Sequence, residues 1–277
     1  MKLAISNIAW SPEERAGAYA SMRRHGVAGL EIAPGLFFAG AADPFEPDEA
    51  EAASVLAEVA DAGRALVSMQ SLLFGVQGAA LFGDADAQAR FIAGMHRAIA
   101  LAGRFGIPNL VFGSPTQRVV PEGLASDAAR DIAVGVFRSL GDAAAAAGTR
   151  LGVEFNPAVY GTNFLTTHDE VADFVAAVDH PAVTIILDLG ALHMNGHFED
   201  VEAIARRLAR HVSHVHVSEP LLGPAPAQPE QAARAMRAMR AAGYDGWFSV
   251  EMKRPGDGLA GVDAALERLT AAAALAE

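Results

Sequence analysis

Short runs of mostly apolar, β-prone residues alternate along the whole chain with longer stretches in which apolar positions recur at helical spacing. The runs near 3–9, 28–33, 65–70, 109–113, 150–155, 183–188, 212–217 and 246–252 read as strands, each followed by a helical segment. Local punctuation agrees. Ser11-Pro12-Glu13-Glu14 sets a cap, a first-turn proline and a capping-box glutamate in order, and Thr167 with Glu170 repeats the box. Glycines close helices at "RRHGVAGL", "DAGRAL", "RFGIPNL", "AAAGTRL" and "AAGYDGW", where a left-handed residue hands the chain to the next strand. Eight strand–helix units without a linker-like break predict an α/β fold, a closed (β/α)8 TIM barrel forming a single domain over 1–277.

The connections are unequal. Segments 34–48, 71–86, 156–166, 189–198 and 218–229 all follow strands and are long, whereas the turns leading into strands are tight. In such a barrel the loops after strands carry the working face. Alternation along the late strands then separates two sets of side chains. Leu151, Val153 and Phe155, Val183, Ile185 and Leu187, Val215 and Val217, and Phe248, Val250 and Met252 suit the helix layer. The opposite set points Glu154, Asp188, His216 and Glu251 into the lumen, each from the C-terminal end of its strand.

Three carboxylates and an imidazole gathered in a low-dielectric mouth repel one another unless a cation joins them. Oxygen-rich ligation with one nitrogen suits a single divalent ion, Mn²⁺, Mg²⁺ or Co²⁺, with Zn²⁺ also admissible.

Composition narrows the class further. The 277 residues are 52% hydrophobic and 19% charged, which fits a compact globular chain. A formal charge of −12, with no basic cluster larger than pairs such as Arg206-Arg207, argues against nucleic acid as a partner. Zero cysteines exclude disulfides, thiolate metal sites and cysteine nucleophiles. "MKLAISNIAWSPEER" lacks the features of a secretory signal, and no stretch approaches the ~18 uninterrupted apolar residues of a membrane span. The expectation is a cytoplasmic protein without membrane association.

The segments "GVEFNP", "TIILDLGALH", "HVHVSEP" and "GYDGWFSVEMK", with "GVAGLEIAP" near the second strand, resemble the xylose-isomerase-like barrel superfamily in order and spacing. That group holds sugar isomerases, ketose 3-epimerases, inosose dehydratases and apurinic endonucleases. The resemblance implies that Glu154, Asp188, His216 and Glu251 ligate the metal and that the two glutamates also act as acid and base. It makes His214, one pleat deeper, a support for the ligands. His193 lies in the loop where related enzymes hold a substrate-contacting histidine, though Ala191 and Leu192 stand as additional residues between it and Asp188. Gly161 and the run Pro220-Leu221-Leu222 occupy places where similar ketose 3-epimerases carry a glutamate and an arginine, so a differently gripped substrate is expected. The third and fourth strands end in "SMQSLL" and "FGSP", without the further histidines that an endonuclease needs.

The reading is a divalent-metal-dependent sugar isomerase or epimerase. It would act on a keto sugar or related polyol through an enediolate, with Glu154 and Glu251 moving the protons. The alternatives are a metal-dependent dehydratase or lyase of an inosose-type substrate and, further off, a non-catalytic sugar-binding barrel. Candidate substrate contacts are His193, Lys253, Glu31, Gln70, Trp10, Asn156 and Glu219. Alanine-rich outer helices would permit a homo-oligomer.

Overall fold

The computed structural model describes residues 1–277. Eight parallel strands follow one another round a closed barrel in chain order: β1 (Lys2–Ser6), β2 (Gly29–Ile32), β3 (Ala65–Met69), β4 (Asn109–Phe112), β5 (Arg150–Glu154), β6 (Val183–Asp188), β7 (Val212–Ser218) and β8 (Trp247–Glu251). β8 returns to β1, with Lys2 beside Trp247 and Ile5 beside Val250. Each expected strand is present. The first is shorter than its apolar run, because the chain turns into a 3-10 segment at Asn7–Ala9, where the Asn7 Oδ1 accepts from the Ala33 N–H at 2.6 Å. No helix is long and apolar enough to cross a membrane.

The helix-closing glycines behave as the sequence predicts. Gly26, Gly63, Gly106, Gly148 and Gly243 all adopt positive φ, from 63° at Gly106 to 91° at Gly243. The capping box at Ser11 also forms, with the Ser11 N–H donating to Glu14 Oε2 at 2.9 Å. At the second box the expectation needs correcting. Thr167 caps the Glu170 N–H, but the Glu170 carboxylate accepts from Thr166, through both its N–H at 2.6 Å and its hydroxyl at 3.1 Å.

Close contacts gather the chain into two compact units, Met1–Ser68 with Leu187–Glu277, and Met69–Ile186. In the first, the Trp247 ring crosses the backbone at Gly29, where a Cβ would stand 2.7 Å from the ring and equally close to the Ala4 Cβ. Glycine is therefore required there for the partly buried indole to lie against β2. In the second, an edge-to-face aromatic series runs from strand to helices. Phe112 of β4 meets Phe91 of the helix Ala85–Phe105 at 5.8 Å and Phe137 of the helix Ser126–Ala146 at 4.9 Å. Phe137 meets Phe174 at 5.2 Å, and all four rings are buried. Such pairs contribute about 0.5–1.5 kcal/mol each beyond their buried area, so they fix the helices that frame the ends of β4 and β5.

Candidate metal centre

The strand ends expected to converge are held by specific partners. In the first unit, His216 is fully buried on β7, with its two ring nitrogens facing different neighbours. Nδ1 lies 3.3 Å from Glu251 Oε2 and 3.7 Å from Asp188 Oδ2, while Nε2 lies 3.2 Å from Glu31 Oε2. A carboxylate accepts only, so Nε2 donates to Glu31 while Nδ1 faces Asp188 and Glu251. Glu31 is itself fully buried, and His214 Nε2 approaches the same Oε2 at 3.2 Å. Burial pushes the Glu31 carboxyl up. The charge of His216 and hydrogen bonds from both histidines outweigh that burial, holding it well below the ordinary carboxylate range. Glu31 thus stays ionised behind His216, as carboxylates behind metal-ligating histidines do.

Asp188 ends β6 and caps the short helix Leu189–Met194 that follows it. Its Oδ1 accepts from the Ala191 N–H at 2.5 Å, and its Oδ2 accepts from the Ser218 hydroxyl at 2.6 Å. Ser218 in turn accepts from the Gly190 N–H at 2.9 Å. This closeness demands glycine at 190, where a Cβ would sit 2.8 Å from the backbone C and O of Glu219.

In the second unit, Glu154 ends β5 with a 7% exposed residue surface. Its Oε2 accepts from the Asn156 Nδ2 at 2.8 Å and passes directly over Gly113, where a Cβ would be 2.8 Å away. Behind Asn156 stands Arg118, fully buried, whose Nη2 donates to Asn156 Oδ1 at 2.7 Å and whose Nη1 donates to the Glu154 carbonyl at 2.8 Å. Burial lowers the guanidinium to about 10 against the opposing pull of Glu154 and Glu170, which leaves it charged at neutral pH.

One ligating atom from each of Glu154, Asp188, His216 and Glu251 falls within 4.8 Å of every other. Three carboxylates and one imidazole make a donor set whose chemistry suits a divalent ion such as Mn²⁺ or Mg²⁺. Each of the four is less than a tenth exposed, and a cation among them would offset the repulsion of the three carboxylates. Glu31, His214 and His216 form a second close group sharing His216. With Nε2 of His216 committed to Glu31, that group fixes the direction of the His216 ring.

The other expected contacts spread more widely. Asn156 is buried against Glu154 and Arg118, and Glu31 against the two histidines. Trp10 is 3% exposed and meets Tyr19 edge-on at 6.5 Å. Gln70 is buried one residue beyond β3. His193 lies half-buried on the helix Leu189–Met194, stacked on Phe198 at 3.9 Å, and burial lowers its pKa against Glu219 and Glu199. The additional Ala191 and Leu192 are thus helical turn residues, with Ala191 supplying the N–H that Asp188 accepts. Glu219 accepts from the Ala227 N–H at 2.7 Å, and Lys253 is exposed past the end of β8, its N–H donating to the Leu222 carbonyl. A separate cavity of about 660 Å³ in the second unit, lined by residues such as Leu124, Arg130, Phe164 and Asp173, has none of the four clustered groups in its wall.

Sequence reasoning missed Ser218 and Arg118. Ser218 stands two residues past His216 on the same pleat, a position that parity could have flagged. Arg118 stands alone between "SPTQ" and two valines, and that isolation is its only sequence signal.

The closed barrel and a buried acid–histidine cluster that could hold a metal ion define the class of (β/α)8 protein to which the chain is compared. The family described as xylose isomerase-like TIM barrel matches residues 19–272, and the chain belongs to it. No curated protein sequence matches at a significant level. Among solved structures, the chain is similar to the apo form of 3-keto-D-glucoside 4-epimerase from E. coli, with 16% identity, TM-score 0.78 and 99% of both chains covered. It is also similar to D-psicose 3-epimerase with D-tagatose from Clostridium cellulolyticum, with 16% identity, TM-score 0.79 and 100% of both chains covered. An L-ribulose 3-epimerase structure matches at 18% identity and TM-score 0.73, covering 98% of this chain and 92% of its own.

Proposed function

We infer that the protein is a divalent-metal-dependent epimerase or isomerase of a keto sugar or related polyol. The observation that carries this reading is the close group of Glu154, Asp188, His216 and Glu251, with a glutamate on each of two different strands. The epimerases among its structural neighbours support the substrate class. Asp188 and His216, each tied by a second partner, would hold the ion. A bound divalent cation would supply a Lewis acid that makes the C–H beside a sugar carbonyl more acidic.

The chain's own groups then do the proton work. One glutamate takes the proton from carbon, leaving the electron pair delocalised as an enediolate. The opposite glutamate returns a proton to the other face of the same carbon, which inverts it. Return to the neighbouring carbon interconverts ketose and aldose instead. Burial of both carboxylates keeps bulk water from quenching the intermediate.

The test is a metal-supplemented panel of ketoses, aldoses and inososes in D₂O, read by deuterium incorporation and product analysis. Deuterium at the inverted carbon is the expected result. Loss of a β-hydroxyl would replace the epimerase by a dehydratase, and no exchange with any sugar despite metal uptake would leave a binding protein. Glu154→Gln and Glu251→Gln should each lower turnover by ~10²–10⁴-fold and weaken metal binding as well. Wild-type turnover in either variant would sink the two-base scheme.

A further inference from the structure

Arg118 is an expensive residue to keep where it is. It is fully buried, its Nε has no acceptor, and a desolvated guanidinium is at best a weak source of stability. Two of its nitrogens nevertheless fork onto one strand end. Nη1 donates to the Glu154 carbonyl at 2.8 Å, and Nη2 donates to Asn156 Oδ1 at 2.7 Å and more weakly to the Leu165 carbonyl at 3.4 Å. Leu165 adopts a left-handed φ of 57°, and its carbonyl also accepts from the Asn156 N–H at 3.2 Å. The guanidinium face lies 5.6 Å from the Phe112 ring, which closes its remaining side. Everything around Arg118 therefore converges on Asn156 and Glu154.

The chemistry of the three groups allows one orientation only. A guanidinium donates and never accepts, and an ionised carboxylate accepts and never donates. Asn156 between them must present Oδ1 to Arg118 and its NH₂ to Glu154 Oε2, as it does at 2.7 and 2.8 Å. A flipped amide would set NH₂ against guanidinium and carbonyl against carboxylate. The direction of Asn156, and through it the rotation of the Glu154 carboxylate, is set by Arg118.

We propose that Arg118 is a positioning residue for Glu154. It acts through the Asn156 amide to commit Oε2 to that hydrogen bond and so to orient the carboxylate for the metal and the substrate proton. This rests on the metal reading given under Proposed function. It turns Asn156, a candidate substrate contact by sequence, into the link between a buried cation and a ligand.

The test is Mn²⁺ affinity, measured by titration calorimetry or electron paramagnetic resonance on the full chain, for wild type, R118K, N156A and the double variant. Circular dichroism and thermal midpoints identify the folded samples. A lysine keeps the charge but cannot fork, so R118K and N156A should each bind Mn²⁺ about 10–100-fold more weakly. The double variant should bind no more weakly than the worse single one, because both changes break one relay. If R118K fails to fold, N156A alone decides, since wild-type affinity in it overturns the proposal. Wild-type affinity in R118K, or losses that multiply in the double variant, overturns it equally. Wild-type protein that takes up no Mn²⁺ removes the metal reading and this inference together. Unchanged variants of a metal-binding wild type remove only the inference.

Discussion

At the scale of single residues, the clustered acids and histidine are held by partners that each do one job. Ser218 shows this most clearly. Its hydroxyl hydrogen goes to Asp188 Oδ2 at 2.6 Å, and its oxygen accepts from the Gly190 N–H at 2.9 Å. Ser218→Ala leaves two buried groups without that partner, at a cost of about 1–3 kcal/mol. It also frees Asp188 to rotate, so Mn²⁺ affinity should fall about 10–100-fold. Ser218→Thr keeps the hydroxyl and should recover most of that affinity; equal weakening in both variants would show that side-chain volume, and not the hydrogen bond, matters there. The four clustered groups were legible because a strand has period two, so one alternating pattern sorts lumen from helix layer along β5 to β8. Ser218 obeys the same parity but carries a side chain too common to stand out. Arg118 was not legible, because it reaches β5 from a loop whose path no periodicity encodes.

At the scale of elements, two glycines set how tightly strand ends approach their neighbours, and they predict different outcomes. At Gly113 an added Cβ meets Glu154 Oε2 at 2.8 Å, which is the far end of a side chain. At Gly190 it meets the Glu219 backbone at 2.8 Å, which cannot step aside without moving the chain between β7 and the following 3-10 turn. Gly190→Ala should therefore cost the ~1–3 kcal/mol typical of overpacking, lowering the thermal midpoint by roughly 2–12 °C. Gly113→Ala should lower the midpoint by less than about 4 °C while weakening Mn²⁺ binding about tenfold, because the carboxylate yields instead of the backbone. Differential scanning calorimetry with a metal titration separates the two. A midpoint loss at Gly113 as large as at Gly190 would mean that the carboxylate is more rigid than its hydrogen bond to Asn156 suggests. The sequence marked neither glycine. Those it did mark, Gly26, Gly63, Gly106, Gly148 and Gly243, announce themselves by following helices, whereas close approach between segments distant in sequence leaves no local pattern.

At the scale of the whole molecule, eight repeated strand–helix units made the closed barrel readable before any contact was known, but not what fastens the helix after β1 to the helix after β8. The helix Arg15–Arg24 approaches Leu259 of the helix Leu259–Leu275 through Gly17, and Asp263 gathers three donors from the earlier segment. The buried Ser21 hydroxyl donates to Asp263 Oδ1, Arg24 Nη2 reaches the same oxygen at 2.5 Å, and His25 Nε2 stands 3.0 Å away. The hydrogen bond from Ser21, then that from Arg24, lower the Asp263 carboxyl from its ordinary value to about 2. A carboxyl whose folded pKa is depressed adds stability above its unfolded pKa of about 3.9, and that stability is lost as pH falls toward its folded value. Asp263 and Arg24 are 40% and 60% exposed, so solvent screening limits the gain to about 0.2–1 kcal/mol. Asp263→Asn should thus lower the urea midpoint at pH 7, and the gap to wild type should narrow steadily between pH 4 and about 2, where the wild-type carboxylate takes up its own proton. Raising salt at pH 7 should shrink the part of the gap owed to Arg24 and leave the part owed to the buried Ser21 hydroxyl. A gap that stays constant from pH 7 down to pH 3 would show that Asp263 joins the two helices by packing alone, with its charge contributing nothing.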